Sequence, residues 1–260
     1  MNAVIEKLND VKNEITERIT PEMVLQQAMK VPGVKIDREK FLRKELKVYY
    51  SESVVNDAII FNPAYADIPR EAIDKIANRV IAYETNKVSA ISFAAGIPGG
   101  FTMAATIPAD IAQYFGFAIR AMQKLAYLYG FPEFELNESE INDNTMNEML
   151  IFLGVMFGVQ GANAGVKVVA QAASEKLAKS LAQKALTKGT VYPIVKKIAT
   201  AVGIKMTKQI FANCVSKAVP IVGGVVNGGL TFATFKPCCY RLKKSFKELN
   251  LSDPNYFDVK

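Results

Sequence analysis

The sequence predicts an all-α fold, a single compact multi-helix domain with central Gly/Ala-rich apolar helices and hairpins. Three observations carry that expectation. Apolar residues recur at helical spacing through almost the whole chain, no alternating strand pattern persists for more than a few residues, and helix-start signals recur ahead of the periodic stretches. No internal repeat, linker or low-complexity segment divides the 260 residues, a length at the upper edge of one domain.

Along the chain, Val4, Ile5, Leu8, Val11, Ile15 and Ile19 line one face of a first helix, with charges between them. Thr20-Pro21-Glu22 reads as an N-cap followed by proline at the first helical position, opening a short helix to Met29. Val31-Pro32-Gly33 is a turn, and Asp37 caps a basic helix, REKFLRKELKVYY, that resumes after a break as SESVVNDAIIF and closes at Asn62-Pro63. Ile68-Pro69-Arg70-Glu71 starts a long amphipathic helix with Ile73, Ile76, Ala77, Val80 and Ile81 on one side.

That helix slides into an uncharged run from Val88 to Ala109, long enough to cross a bilayer. Pro98-Gly99-Gly100 breaks the run, and Pro108 marks a fresh start, so it reads as two short apolar helices joined by a turn. The second is expected to reach about Tyr129 and stop at Gly130-Phe131-Pro132. Asn137-Glu138 resembles a helix start, and Thr145 to Glu148 has capping-box spacing ahead of a second uncharged run, Met149 to Val166. An Ala/Lys-rich helix follows to Lys184. A third uncharged run fills Ala218 to Phe235, and a basic helix kinked or restarted at Pro237 ends the folded part. The expected organisation is an N-terminal helical arm over 1–35, an all-α domain over 36–250 and a flexible tail over 251–260.

Composition excludes several functions. There is no histidine, which rules out Ser-His-Asp and Cys-His catalysis and removes the commonest zinc ligand. Cys214, Cys238 and Cys239 have neither zinc-site nor disulfide spacing and read as small buried hydrophobes. No metal and no cofactor is expected. IPGGFTM lacks the Gly-Lys-Ser/Thr ending of a phosphate loop, and no aromatic-plus-basic strand suggests nucleic-acid binding. The N-terminus is charged from residue 6 and has no apolar signal core, so a cytoplasmic protein is expected.

The net charge of +7 lies mostly in the last hundred residues. A basic face can solvate the fold, meet nucleic acid or meet anionic lipid; its pairing with Gly/Ala-rich apolar segments favours lipid over nucleic acid. The partner expected is therefore anionic membrane lipid or a membrane protein, with the chain peripheral at the inner membrane. Phe101, Met103, Lys236, Arg241, Lys243 and Lys244 are the candidate membrane contacts.

Gly154, Gly158, Gly161 and Gly165 stand four, three and four residues apart, and Gly224 and Gly228 repeat the spacing. Glycine costs a helix about 1 kcal/mol against alanine, so a ladder of four implies close helix–helix approach as compensation. That approach fits a tight soluble core or a bundle that inserts shallowly in a bilayer. Asp110, Gln113, Arg120 and Lys124 stand out among the polar positions between Ala90 and Tyr129. They read either as helix-dipole complements, with Asp110 in the first turn and the cations later, or as a buried or ligand-facing cluster. A hydrolase built on Asp110, or on Ser89, Ser92, Thr102 or Thr106 with a lysine, is a further alternative, although no spacing singles out a pair.

IPGG followed by TIPADIAQYFGFAIRAMQKLAYLYGF resembles the EcsC family of bacterial helical proteins, and PIVGGVVNGGLTF is similar to that family's Gly-Gly segment near the C-terminus. The resemblance covers about residues 40–250; the chain departs from the pattern in lacking tryptophan. It implies a helical protein of a family that is often membrane-associated and has no settled activity, with Gly99, Gly100, Pro108, Asp110, Gln113, Arg120 and Gly130 as the positions of the best-matched patch; with no nucleophile–base pair singled out, a non-enzymatic protein is expected. A soluble interaction module is the alternative.

Overall fold

The computed structural model describes residues 21–95, 109–136, 141–183 and 228–257. Within them lie eight α-helices and no strand: α1 (Pro21–Met29), α2 (Arg38–Leu46), α3 (Glu52–Ile60), α4 (Arg70–Ala95), α5 (Ala109–Leu128), α6 (Asp143–Met156), α7 (Ala162–Gln183) and α8 (Gly228–Lys247). Their faces share one core, so the all-α expectation holds.

α5 is the central helix. From Ala112 to Tyr129 nearly every side chain is buried, as expected of a helix that is apolar on all sides. α1, α4, α6 and α8 pack around it, and α4 also carries the most extensive contact with α8. α4 buries Ile73, Ile76, Ala77, Val80 and Ile81, the stripe its periodicity predicts, and Val88 beyond it. The α2–α3 hairpin closes one flank with Leu42, Leu46, Val55 and Ala58. At the far end of α5, Phe131, Phe152 and Phe246 form a triangle with ring centroids 5.0, 4.8 and 4.9 Å apart, joining the exits of α5, α6 and α8.

Local signals place most helix ends. Pro21 opens α1, and the Asp37 side chain accepts from the Lys40 amide at 2.9 Å to cap α2. α5 closes in a Schellman motif: Phe131 N donates to Ala126 O, Gly130 N to Tyr127 O, and Gly130 sits at φ +96°. α6 starts earlier than expected. Its cap is Asn142, which accepts from the Thr145 amide at 2.8 Å, so Thr145 lies inside the first turn instead of preceding it.

Three expectations need correction. The glycine ladder does not lie in one helix. Gly158 and Gly161 occupy the α6–α7 turn at φ +74° and +86°, with no atom within 4 Å of where a Cβ would stand. Gly158 is the left-handed residue of a second Schellman motif, with Val159 N donating to Gly154 O and Gly158 N to Val155 O. Only Gly154 and Gly165 are helical and buried. Close spacing of glycines here serves chain reversal.

The N-terminal residues are no loose arm from 21 onward: Val24, Leu25 and Ala28 are fully buried or nearly so, and α1 packs on α5. The expected flexible tail is docked as far as 257. Two 3-10 turns, Asn250–Ser252 and Pro254–Tyr256, place Leu251 in the core, Asn62 Nδ2 donates to Leu251 O, and Arg70 pairs with Asp253 at 3.1 Å.

The second uncharged run is divided the same way. Met149 to Met156 are buried in protein, so that part of the run is core. No helix among the described residues is long and apolar enough to cross a membrane.

Candidate functional site

α5 presents one stripe that grips the backbone of the segment entering α2. Gly116, Arg120, Gln123 and Tyr127 follow one another at four, three and four residues, so they stack on one helix face. Gly116 permits the approach, since a Cβ there would stand 3.0 Å from Val34 Cγ2 and 3.6 Å from Ala28 O. Arg120 Nη1 donates to Gly33 O. Gln123 is fully buried; its Nε2 donates to Val34 O at 2.8 Å and its Oε1 accepts from Ile36 N at 3.0 Å. Tyr127 Oη donates to Ile36 O at 3.3 Å. Residues 33–36 form no regular structure, so these side chains supply backbone partners that no helix or strand provides, most consequentially at Val34, the buried residue of the four.

Arg120 also belongs to an ion cluster. Glu84, on α4, is completely buried. Its Oε2 accepts from Arg120 Nε at 3.2 Å and its Oε1 from Lys124 Nζ at 2.5 Å. Arg120 and Lys124 are one turn apart on α5 and each is 13 % exposed, so both reach the carboxylate while keeping a small wet surface. Burial pushes the Glu84 carboxyl up, but the hydrogen bond from Arg120 and the charge of Lys124 outweigh it and hold the group below its ordinary value. Lys124 Nζ lies between the Phe41 and Tyr83 rings, 5.6 Å from each centroid. One buried anion thus ties α4 to two α5 cations, and through Arg120 to the turn at Gly33.

A second network surrounds Asp74 on α4. Tyr129 Oη donates to Oδ1 at 2.5 Å, Lys247 Nζ to Oδ2 at 2.5 Å, and Lys243 stands 3.5 Å away. Burial pushes the Asp74 carboxyl up, but the hydrogen bonds from Lys247 and Tyr129 and the nearby lysine charges outweigh it and leave it below its ordinary value. Arg38 is buried without a carboxylate on its guanidinium. It closes the C-terminus of α3 by donating to Ala58 O, Ile59 O and Phe61 O, and reaches Phe131 O at 3.1 Å.

Of the expected polar stripe, then, Arg120 and Lys124 come together on Glu84. Gln113 is half-buried and takes no part in that cluster, and Asp110 lies in the first turn of α5 with its side chain outside the description. Glu84 was not foreseen as the partner of the two cations, nor Gln123 and Gly116 as backbone contacts.

The α8 cations divide. Arg241 Nη1 donates to Met156 O at 2.9 Å, closing α6, and Lys243 donates to Asn78 Oδ1 at 2.9 Å with its side chain only 12 % exposed. Lys243 is therefore no open membrane contact, a correction imposed by its packing against α4. Lys244 is exposed and Lys236 half-buried. Cys238 and Cys239 are buried thiols outside any disulfide, and burial pushes the Cys239 thiol well up. No group of three His, Cys, Asp or Glu among the described residues could hold a metal.

Gly99, Gly100, Phe101, Met103, Pro108, Gly224, Thr102, Thr106 and Cys214 lie outside the described residues, as do residues 1–20 of the expected arm; Ser89, Ser92 and Gly228 lie on helices with their surroundings undescribed. No family model, no curated protein and no solved structure matches the chain.

Proposed function

We propose that the chain is a non-enzymatic, amphitropic helical protein of the EcsC type, cytoplasmic and peripheral at the inner membrane, that binds anionic lipid through apolar Gly/Ala-rich runs beside exposed lysines. The observation that carries this reading is the pairing of two uncharged runs, 88–109 and 218–235, with a chain of net charge +7. The Met149–Met156 segment is buried, so it no longer counts among the lipid-facing candidates.

The geometry of α4 and α5 supports the non-enzymatic side of the reading. Arg120 and Lys124 are committed to Glu84 and to the Gly33 carbonyl, where they hold backbone and carboxylate in place. A cation engaged in this way is a poor general base for a nucleophile. Lysine near an anionic surface contributes about 1 kcal/mol, so a few exposed lysines give reversible, salt-sensitive binding.

Flotation of the purified chain with vesicles tests this. Co-flotation with phosphatidylglycerol vesicles at low salt, release by 0.5 M salt, and no co-flotation with phosphatidylcholine vesicles are expected. A chain that ignores both vesicle types at low salt removes the membrane reading and leaves a soluble interaction module.

A further inference from the structure

The turn between α2 and α3 carries the largest exposure of any large apolar side chain among the described residues: Val48 is 70 % exposed, and Tyr49 beside it is 54 % exposed. This is an ordered tip. Lys47 N donates to Arg43 O, Tyr49 N to Leu46 O at 2.9 Å and Tyr50 N to Leu46 O at 3.1 Å. Tyr50 packs against the core while its two predecessors face out. Tyr49 is also oriented. The Arg79 guanidinium on α4 lies 5.3 Å from its ring centroid and donates to its hydroxyl, so the ring is held without being covered.

Charge around the tip is one-sided. Glu45 is paired with Arg79, and Glu39 and Glu52 are paired with Arg43. Lys44 and Lys47 are exposed, and no carboxylate engages them among the described residues. The tip is thus a valine and a tyrosine, directly preceded by Lys47 and about one turn from Lys44, with neither lysine neutralised among the described residues.

We propose that this α2–α3 turn is a lipid-contact element, with Val48 and Tyr49 entering the headgroup–acyl boundary and Lys44 and Lys47 meeting anionic headgroups. The proposal rests on the amphitropic reading above and adds a place to it, outside the uncharged runs in sequence. A tyrosine at the interface keeps its ring in the apolar zone and its hydroxyl wet, and lysine stems reach along the surface to phosphate. Two exposed lysines flanking the pair favour an anionic surface, and a bilayer accepts two such side chains at shallow depth.

The chain contains no tryptophan, so Tyr49→Trp introduces a single reporter. Phosphatidylglycerol vesicles are expected to shift its emission to the blue, and phosphatidylcholine vesicles to leave it unchanged. Ile60→Trp, at the opposite end of the hairpin where α3 meets Arg38, is expected not to shift with either. Lys44→Glu with Lys47→Glu in the Tyr49→Trp chain should weaken partitioning by about tenfold or more.

An unshifted Tyr49→Trp in a chain that does float with anionic vesicles overturns the turn as a contact and spares the membrane reading. Absence of flotation in both Tyr49→Trp and the unsubstituted chain overturns both. A shift that follows protein concentration without vesicles makes the turn a contact between copies and also overturns the proposal. All these positions are exposed, and thermal melts of each variant confirm the fold; should the double lysine variant melt early, the two tryptophan reporters still decide.

Discussion

Replacing the Glu84 carboxylate by an amide removes its charge and keeps its shape, which isolates the contribution of the ion cluster. Glu84→Gln leaves Arg120 and Lys124 facing a neutral group inside the protein. Breaking a buried pair costs 3–5 kcal/mol, and because both cations keep an edge in water the lower end applies, about 3 kcal/mol at pH 7. The pH dependence has a definite sign. The folded carboxyl is held below its unfolded value, so its stabilisation is complete above the ordinary glutamate range near about 4.3 and is lost as pH falls through the folded value. Urea midpoints measured from pH 7 down to pH 3 should show the gap between the two proteins narrowing with acid. A gap that stays constant over that range would mean that Glu84 acts through packing alone.

At the scale of elements, two glycines with the same backbone role separate conformation from contact. Gly130 and Gly158 both close a helix in the left-handed region. At Gly158 a methyl group meets nothing within 4 Å, so Gly158→Ala should cost only the backbone term, about 1–2 kcal/mol. At Gly130 the added Cβ would stand 2.8 Å from Leu251 O and 3.0 Å from Asn62 Nδ2, so Gly130→Ala carries the same backbone term and also pushes out the docked C-terminal turns. Thermal melts should rank Gly130→Ala well below Gly158→Ala, and equal melting temperatures would deny the contact of Leu251 with the end of α5.

What could be read from the sequence follows from the range of each signal. Pro21, Asp37, Pro69 and Gly130 act within a turn or two of themselves, and the structure places a helix end at each. The ladder at 154–165 misled because four-three-four spacing fits a helix face and also fits a cap followed by a turn; only the φ values distinguish them. The same spacing at Gly116, Arg120, Gln123 and Tyr127 does make a face, but its purpose is to hold residues 33–36, far away in the chain. Glu84 carries no local signal in the sequence, since its partners stand on another helix. Lys243 read as surface because its contact with Asn78 joins α8 to α4.

For the whole molecule, the described helices close on a core whose buried and half-buried charges are met from within: Glu84 by Arg120 and Lys124, half-buried Asp74 by Tyr129 and Lys247, Arg38 by the α3 carbonyls. Such a core does not need to open for lipid to be bound at its surface. Association through the α2–α3 turn and the uncharged runs should leave α5 as it is. Hydrogen–deuterium exchange of the full chain, with and without phosphatidylglycerol vesicles at low salt, tests that most directly. The amphitropic account predicts slower exchange at 44–50 and within 88–109 and 218–235 on vesicles, with the protection of Tyr114 to Tyr129 unchanged. Identical exchange with and without vesicles, or loss of protection along α5 when they are added, would contradict it.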